Sequence, residues 1–377
     1  MLICHVSSVH SAGDPRIRLK QLASVSQRYG RTIFITGDLE SPVSDNKSDR
    51  IEIKKVSPGR KNRILRLLIT SPRCILVALR FKAEIYHLHD PELLPWAWIL
   101  RLSGGKIVYD IHEDYVSSIG QKKYLPRLVR KIFGYAIGIL EKILSTGYRK
   151  VIAEKYYAKR FPDAVPVLNY PVLKDLLPIN AFSACSMAVI YTGNITPDRG
   201  AFDMAAFHNY SEKYKVKAVG RCSQSLHGKL DTFEQSFTKQ PIEVEGVGYF
   251  VQFSEIISAY RECRWLAGVA LFPNTEHYRE KELTKFFEYM AVGLPIIASD
   301  FPVWKRLIED QGVGICVPPG DNQSIESALN WLKANPGEAQ EMGRRGKELA
   351  RTQYSWESQA ARLIDFYEEI LGERQAY

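Results

Sequence analysis

The sequence predicts an α/β protein of two domains, each a parallel sheet flanked by helices, on three observations. Short apolar runs rich in β-branched residues alternate with amphipathic helical stretches, the pattern of strand–helix–strand units in parallel sheets. The 377 residues are long for one core and suit two domains of roughly 150–200 residues each. Hydrophobic residues make up 45% and charged residues 25%, ordinary values for a folded globular chain, which excludes a disordered one.

The elements follow in order. Residues 2–8 read as a strand and V-H-S-A-G as a loop; Asp14-Pro15 then supplies an N-cap and a first-turn proline for a helix over 16–29, with the next strand at 32–36. This β-loop-α-β opening is Rossmann-like but lacks G-x-G-x-x-G, so a dinucleotide site is not expected there. A polar stretch follows, then K-K-V-S-P-G-R-K-N-R-I-L-R-L-L, where Lys54, Lys55, Arg60, Lys61, Arg63 and Arg66 flank Ile64, Leu65, Leu67 and Leu68. Two readings stay open: contact with an anionic membrane surface, or a solvated loop leading into an amphipathic helix. A second basic and apolar stretch over 122–140 shifts the balance towards the membrane. Between these stretches, I-Y-H-L-H-D-P-E-L-L-P and I-V-Y-D-I-H-E-D-Y are short strands whose carboxyl ends deliver His89, Asp90 and His112 into loops, the placement expected of a site. Further strands at 151–152 and 165–168 lead to a linker near 170–182.

In the second half a strand at 187–191 runs into T-G-N-I-T-P-D-R-G. Gly193 there lets a phosphate approach the backbone, and Arg199 offers a planar fork to bind it. Strands at 216–220, 242–246, 265–272, 294–298 and 314–317 alternate with helices, and helices at 322–334, 337–351 and 356–371 close the chain. The densest chemistry lies in residues 280–300, E-K-E-L-T-K-F-F-E-Y-M-A-V-G-L-P-I-I-A-S-D. A helix starting near Thr284 points free N–H groups and its positive dipole end into a strand-to-helix loop, a seat for phosphate oxygens. Lys285 adds a charge there, and Glu288, one turn on, accepts hydrogen bonds from a vicinal diol such as a ribose. Together they point to a nucleotide diphosphate, and Glu280 on the loop is placed to meet what the diphosphate carries.

Glu280-x7-Glu288 followed by Y-M-A-V-G-L-P-I-I-A-S-D resembles the donor-binding signature of the family-4 retaining glycosyltransferases of GT-B fold. The T-K-F-F-E-Y-M-A, H-D-P-E-L-L-P and Y-D-I-H-E-D-Y segments resemble its bacterial surface-polysaccharide branch. The resemblance implies two Rossmann-like domains facing a cleft. The first, residues 1–172 with about 356–377 crossing back to it, would take the acceptor, and the second, residues 173–355, the nucleotide-sugar. It implies that Glu288 binds the ribose, that Glu280 contacts the donor sugar and that His112 lies beside that sugar at the reaction centre. The opening D-x-R-I-x-x-K, here Asp14, Arg16, Ile17 and Lys20, would face the cleft. Where the family carries an Arg and, five residues later, a Lys on the diphosphate, this chain has Asn194 and Arg199, and Lys285 would supply the missing charge. The implied activity is retaining transfer of a sugar from a nucleotide-diphosphate donor to a saccharide or lipid-linked acceptor. No metal or other cofactor is expected, in keeping with the absence of D-x-D. The alternatives are a sugar-nucleotide epimerase of the same fold and a non-catalytic partner protein.

Charge is uneven: residues 1–170 hold 29 Lys+Arg against 15 Asp+Glu, and the remainder 22 against 27. The basic half suits an anionic leaflet bearing a lipid diphosphate. Nucleic acid is not an expected partner, because no recognised motif accompanies the charge. Six dispersed cysteines (Cys4, Cys74, Cys185, Cys222, Cys263, Cys316), without C-x-x-C, read as reduced core residues. With a first strand beginning at Leu2 and no transmembrane run, the expected location is cytoplasmic, peripheral on the inner face of the membrane.

Overall fold

A computed structural model describes residues 1–37, 50–56, 62–112, 126–235, 237, 241–262 and 265–372. Of the residues singled out above, Arg60, Lys61, Cys263, 113–115 and 122–125 lie outside them. The chain divides into two compact units, Met1–Asn169 with Trp356–Tyr377, and Tyr170–Ser355.

The first unit is built on a seven-stranded parallel sheet. Its strands are β1 (Ile3–Ser7), β2 (Thr32–Thr36), β3 (Ile51–Lys55), β4 (Ile85–Leu88), β5 (Lys106–Ile111), β6 (Arg149–Ile152) and β7 (Val165–Pro166), in the order β3-β2-β1-β4-β5-β6-β7. β1, β2 and β4 are buried along their whole length, as strands covered by helices on both faces must be. β3 falls in a stretch that polarity marked as loop. As an edge strand it is half-exposed, and an edge tolerates Glu52, Lys54 and Lys55. The last helix, Trp356–Gly372, belongs to this unit despite its place in the sequence. It packs on Pro15–Leu22 and Ala23–Tyr29, Trp356 Nε1 donates to Ser24 Oγ at 3.0 Å, and Gln359 Oε1 accepts from the Leu168 N–H at 2.9 Å.

The second unit holds six parallel strands: β8 (Ala188–Thr192), β9 (Lys215–Cys222), β10 (Glu243–Val247), β11 (Ala267–Ala270), β12 (Ile296–Ser299) and β13 (Gly314–Val317), ordered β10-β9-β8-β11-β12-β13. β11 is shorter than its apolar run, because Trp265 instead forms an isolated bridge with Phe182. Both sheets therefore reverse their direction of winding once, between β1 and β4 in the first and between β8 and β11 in the second. Within the described residues the cysteines are free, and no helix is long and apolar enough to cross a membrane.

The junction of loop and helix after β8 depends on one glycine. Gly200 has φ +80°, and a Cβ there would lie 1.7 Å from the Leu271 carbonyl oxygen. Both the conformation and the close approach require glycine. Gly200→Ala is expected to cost about 3 kcal/mol or more in urea unfolding. Gly228→Ala, in a helix where an added Cβ meets nothing within 4 Å, serves as the control and should be neutral or stabilising.

Candidate functional site

In doubly wound sheets the crevice outside the strand carboxyl ends at the reversal point is where ligands bind. The first unit concentrates its ionisable groups there. Register pairs His5 with His87, and the two-residue period of a strand puts His87 and His89 on one face, as it does Asp110 and His112. His5, His87 and His89 stack with ring centroids 4.7–5.1 Å apart. His5 Nδ1 lies 2.9 Å from His89 Nε2, and the Tyr367 hydroxyl from the last helix hydrogen-bonds His87.

Asp110 is buried at the centre of this group. Arg16 donates to it from Nε at 3.1 Å and Nη2 at 2.8 Å, and Gln21 Nε2 donates at 2.8 Å. Burial alone would raise its pKa, but the Arg16 guanidinium, then His87 and His89, hold it well below the carboxylate range. His87, His89 and Asp110 place ligand atoms within 4.8 Å of one another, close enough for a metal ion. Arg16 already balances the carboxylate, so a cation would have to displace the guanidinium.

Asp90, at the end of β4, ties down the loop after β1: its Oδ2 accepts from Ser7 Oγ and the Ser8 N–H at 2.7 Å and from the Val9 N–H at 3.3 Å. Asp14 caps its helix by accepting from the Ile17 N–H at 3.0 Å, and its other oxygen lies 3.1 Å from His10 Nδ1. His10 Nε2 is 2.7 Å from His112 Nε2, so the two facing nitrogens cannot both carry protons. Burial, then His10, lowers the His112 pKa. Asp14, Arg16, His89, Asp90 and His112 thus fall into one network. His5, His10, His87 and Asp110 join it without having been singled out, although the spacings His87-x-His89 and Asp110-x-His112 on adjacent strands were the available signal.

The second unit gathers a different set at its own reversal point. The helix Thr284–Ala291 is pinned by Tyr289, whose hydroxyl accepts from the Thr192 N–H at 3.1 Å and lies 3.3 Å from the Ile190 and 3.2 Å from the Val269 carbonyl oxygen. One turn earlier Lys285, only 7% exposed, extends over β8 with Nζ 3.3 Å from the Tyr191 ring centroid and 5.3 Å from that of Phe272. Among the described residues this ammonium group has no hydrogen-bond partner. Burial, then the charge of Arg199, pushes its pKa far below that of a solvated lysine, and Glu288 opposes the shift.

Gly193, at φ +102°, leaves the space beside this amine open: a Cβ there would lie 3.8 Å from Lys285 Nζ. Arg199 Nε donates to the Tyr278 hydroxyl at 3.1 Å, which donates to Asp198 at 2.8 Å. Glu288 Oε2 accepts from the Tyr260 hydroxyl at 3.2 Å, and Tyr260 in turn lies 3.0 Å from Thr192 Oγ1. Thr284 is half-buried in the first turn, and the N-cap residue, Leu283, makes no side-chain hydrogen bond to it. Asn194 is exposed, and its carbonyl, not its side chain, takes the Tyr191 hydroxyl at 2.8 Å. Glu280 is exposed on the preceding loop.

The histidines carry a pH signature. Burial draws the His89 pKa down to about 3, against an unfolded value near 6.5. Between these values the unfolded chain binds more protons, so stability is fully present above about pH 6.5 and is lost on acidification by up to ~1.4 kcal/mol per pH unit for this residue. The unfolding midpoint of the first unit should fall from pH 7 to 5, and His89→Gln should flatten that slope.

Residues 244–349 match the family described as glycosyl transferases group 1. Phosphatidyl-myo-inositol mannosyltransferase of Mycobacterium leprae (strain TN) is 34% identical over 307 residues, 76% of this chain and 74% of that protein. Sucrose-phosphate synthase from Thermosynechococcus elongatus superposes with TM-score 0.78 at 16% identity, covering 99% of this chain and 100% of its own. HepE of Anabaena, in complex with UDP-glucose, does so with TM-score 0.73 at 11% identity over 98% and 100%. Both sheets, with their order and their flanking helices, are those of the GT-B fold, with two Rossmann-like domains. The chain belongs to the group 1 glycosyl transferases and is a glycosyltransferase.

Proposed function

We propose that this enzyme moves a sugar from a nucleoside-diphosphate donor to an acceptor hydroxyl with retention at the anomeric carbon, and that the second unit holds the donor. The reading rests above all on Lys285, a buried amine without a hydrogen-bond partner among the described residues, beside an open glycine and the first turn of a helix whose N-cap residue, Leu283, makes no side-chain hydrogen bond. Such a group is costly to bury unless an anion completes it. The leaving diphosphate is that anion. As the bond from the anomeric carbon to the phosphate oxygen breaks, negative charge grows on the diphosphate. Lys285, Arg199 and the N–H groups near Thr284 stabilise that charge more in the transition state than in the ground state.

Gly193 lets the phosphates approach, Asn194 lines the same loop, Glu288 takes the ribose hydroxyls, and Glu280 and His112 contact the transferred sugar. The acceptor oxygen attacks from the face the diphosphate leaves, and its proton passes to the departing phosphate oxygen, so no protein nucleophile is required. Arg16 and Asp90 are buried in ion pairs and loop contacts, and with Asp14 and His89 they fix the setting of His112. The positive groups suffice without a metal in this reading. We place the acceptor among lipid-linked saccharides of bacterial cell-surface polysaccharide synthesis, at the inner face of the membrane. The basic first half and the relative named for mannosyl transfer on phosphatidyl-myo-inositol support this.

A thermal-shift series with UDP, GDP, ADP, CMP and dTDP tests the donor site, since a ligand of the native state raises its melting temperature. One nucleoside diphosphate should stabilise the protein, and Glu288→Ala should weaken that binding by about tenfold or more. Lys285→Met should do the opposite to the free protein: by removing a buried amine it should raise the melting temperature by ~2–4 °C, the effect of about 1 kcal/mol in a domain of this size, while abolishing the nucleotide response. Because an anion raises the depressed Lys285 pKa, binding should take up a proton and weaken at high pH, as calorimetry in buffers of different ionisation enthalpy reads. Turnover should survive EDTA, and His112→Ala should lower kcat by ~100-fold with little change in donor affinity. Consumption of donor without acceptor would replace transfer with epimerisation.

A further inference from the structure

The helix Arg127–Leu144 is turned inside out. The side that faces the protein carries its one acidic residue: Glu141, 3% exposed, accepts from the Tyr109 hydroxyl at 2.6 Å and from Arg160 Nη2 at 2.7 Å, and Gly134, two turns earlier, is also buried. Its apolar side faces outward. Leu128, Ile132, Tyr135, Ile139 and Ile143, spaced three or four residues apart, form one stripe about 22 Å long, and their exposures run from 42% to 73%. Phe133 and Leu140 widen it. A surface helix of a protein surrounded by water has the reverse arrangement, and a continuous exposed stripe of this size marks a contact.

Charge identifies the partner. Lys131 and Lys142 are exposed on the same helix, whose single acidic residue, Glu141, is the one turned inward. The surrounding first half of the chain carries 29 Lys+Arg against 15 Asp+Glu. An apolar stripe flanked by lysines, on a helix not apolar enough to span a bilayer, fits a helix lying in the plane of an anionic one, its apolar side among the acyl chains and its lysines at the phosphates. Tyr135 suits the headgroup level, where amphipathic aromatic rings concentrate. The other basic stretch is less suited to this role: Arg63 and Arg66 pair with Glu92 at 3.3 and 2.7 Å.

We infer that the outward face of Arg127–Leu144 docks the protein onto an anionic lipid bilayer. The inference rests on the lipid-linked acceptor proposed above for its purpose, but its test does not pass through catalysis. The intact protein is sedimented with vesicles of phosphatidylcholine alone and of phosphatidylcholine with phosphatidylglycerol, at low and high salt. It should bind the anionic vesicles, and Ile132→Glu/Ile139→Glu should lower the vesicle affinity at least about tenfold. Lys131→Glu/Lys142→Glu should remove most of the preference for phosphatidylglycerol. Both changes are at exposed positions, so an unchanged melting temperature and an unchanged nucleoside-diphosphate shift certify the fold. Equal binding by wild type and the Ile132→Glu/Ile139→Glu variant, or no binding by the wild type, overturns the inference. So does a wild-type dimer in lipid-free solution that the same variant dissociates, which would make the face a protein interface. Loss of the nucleotide response with vesicle binding intact would instead count against the donor site alone.

Discussion

Two buried ionisable groups, handled in opposite ways, organise the two units. Asp110 lies out of reach of water and would be untenable without Arg16, whose guanidinium meets both carboxylate oxygens. That ion pair lets the stacked histidines stay neutral around it and lets the last helix place Tyr367 on His87. The first unit therefore completes its own electrostatics. Among the described residues Lys285 in the second unit has no hydrogen-bonded counter-ion: it lies over the faces of Tyr191 and Phe272, Arg199 adds to its positive surroundings, and Glu288 offsets them only in part. A fold that leaves a buried amine in this state is primed for an anion, which would hold it protonated.

The placement of both clusters follows from sheet topology. In each unit the winding reverses once, and at such a reversal the carboxyl ends of the central strands are where doubly wound sheets bind ligands. Asp90 ties the end of β4 to the loop after β1, while Lys285 spans the rings of Tyr191 in β8 and Phe272 just beyond β11. One architecture used twice thus carries histidines and carboxylates in one copy and a lysine with an arginine in the other.

The outer surface obeys a further constraint. Glu141 is held by Tyr109 and Arg160, which sets the rotation of its helix and leaves the apolar stripe pointing outward. Burying that stripe instead would expose the anchor and break two hydrogen bonds to a carboxylate. Rotation of the helix is thereby decided by a polar contact rather than by hydrophobic burial.

The sequence by itself determined the alternation of strands and helices, and with it two parallel α/β sheets, because apolar periodicity and turn residues act over a few neighbouring positions. It also marked the strand ends at His89-Asp90, His112 and Gly193 and the first turn at Thr284-Lys285 as chemically dense. β3 escaped notice because an edge strand tolerates charge and so lacks the apolar signature of its neighbours. Only tertiary structure decided which groups meet: Arg16 with Asp110, His10 with His112, Lys285 with Tyr191, each separated by tens of residues in sequence. Strand register and helix rotation set those encounters, and both are properties of packing that no local pattern encodes.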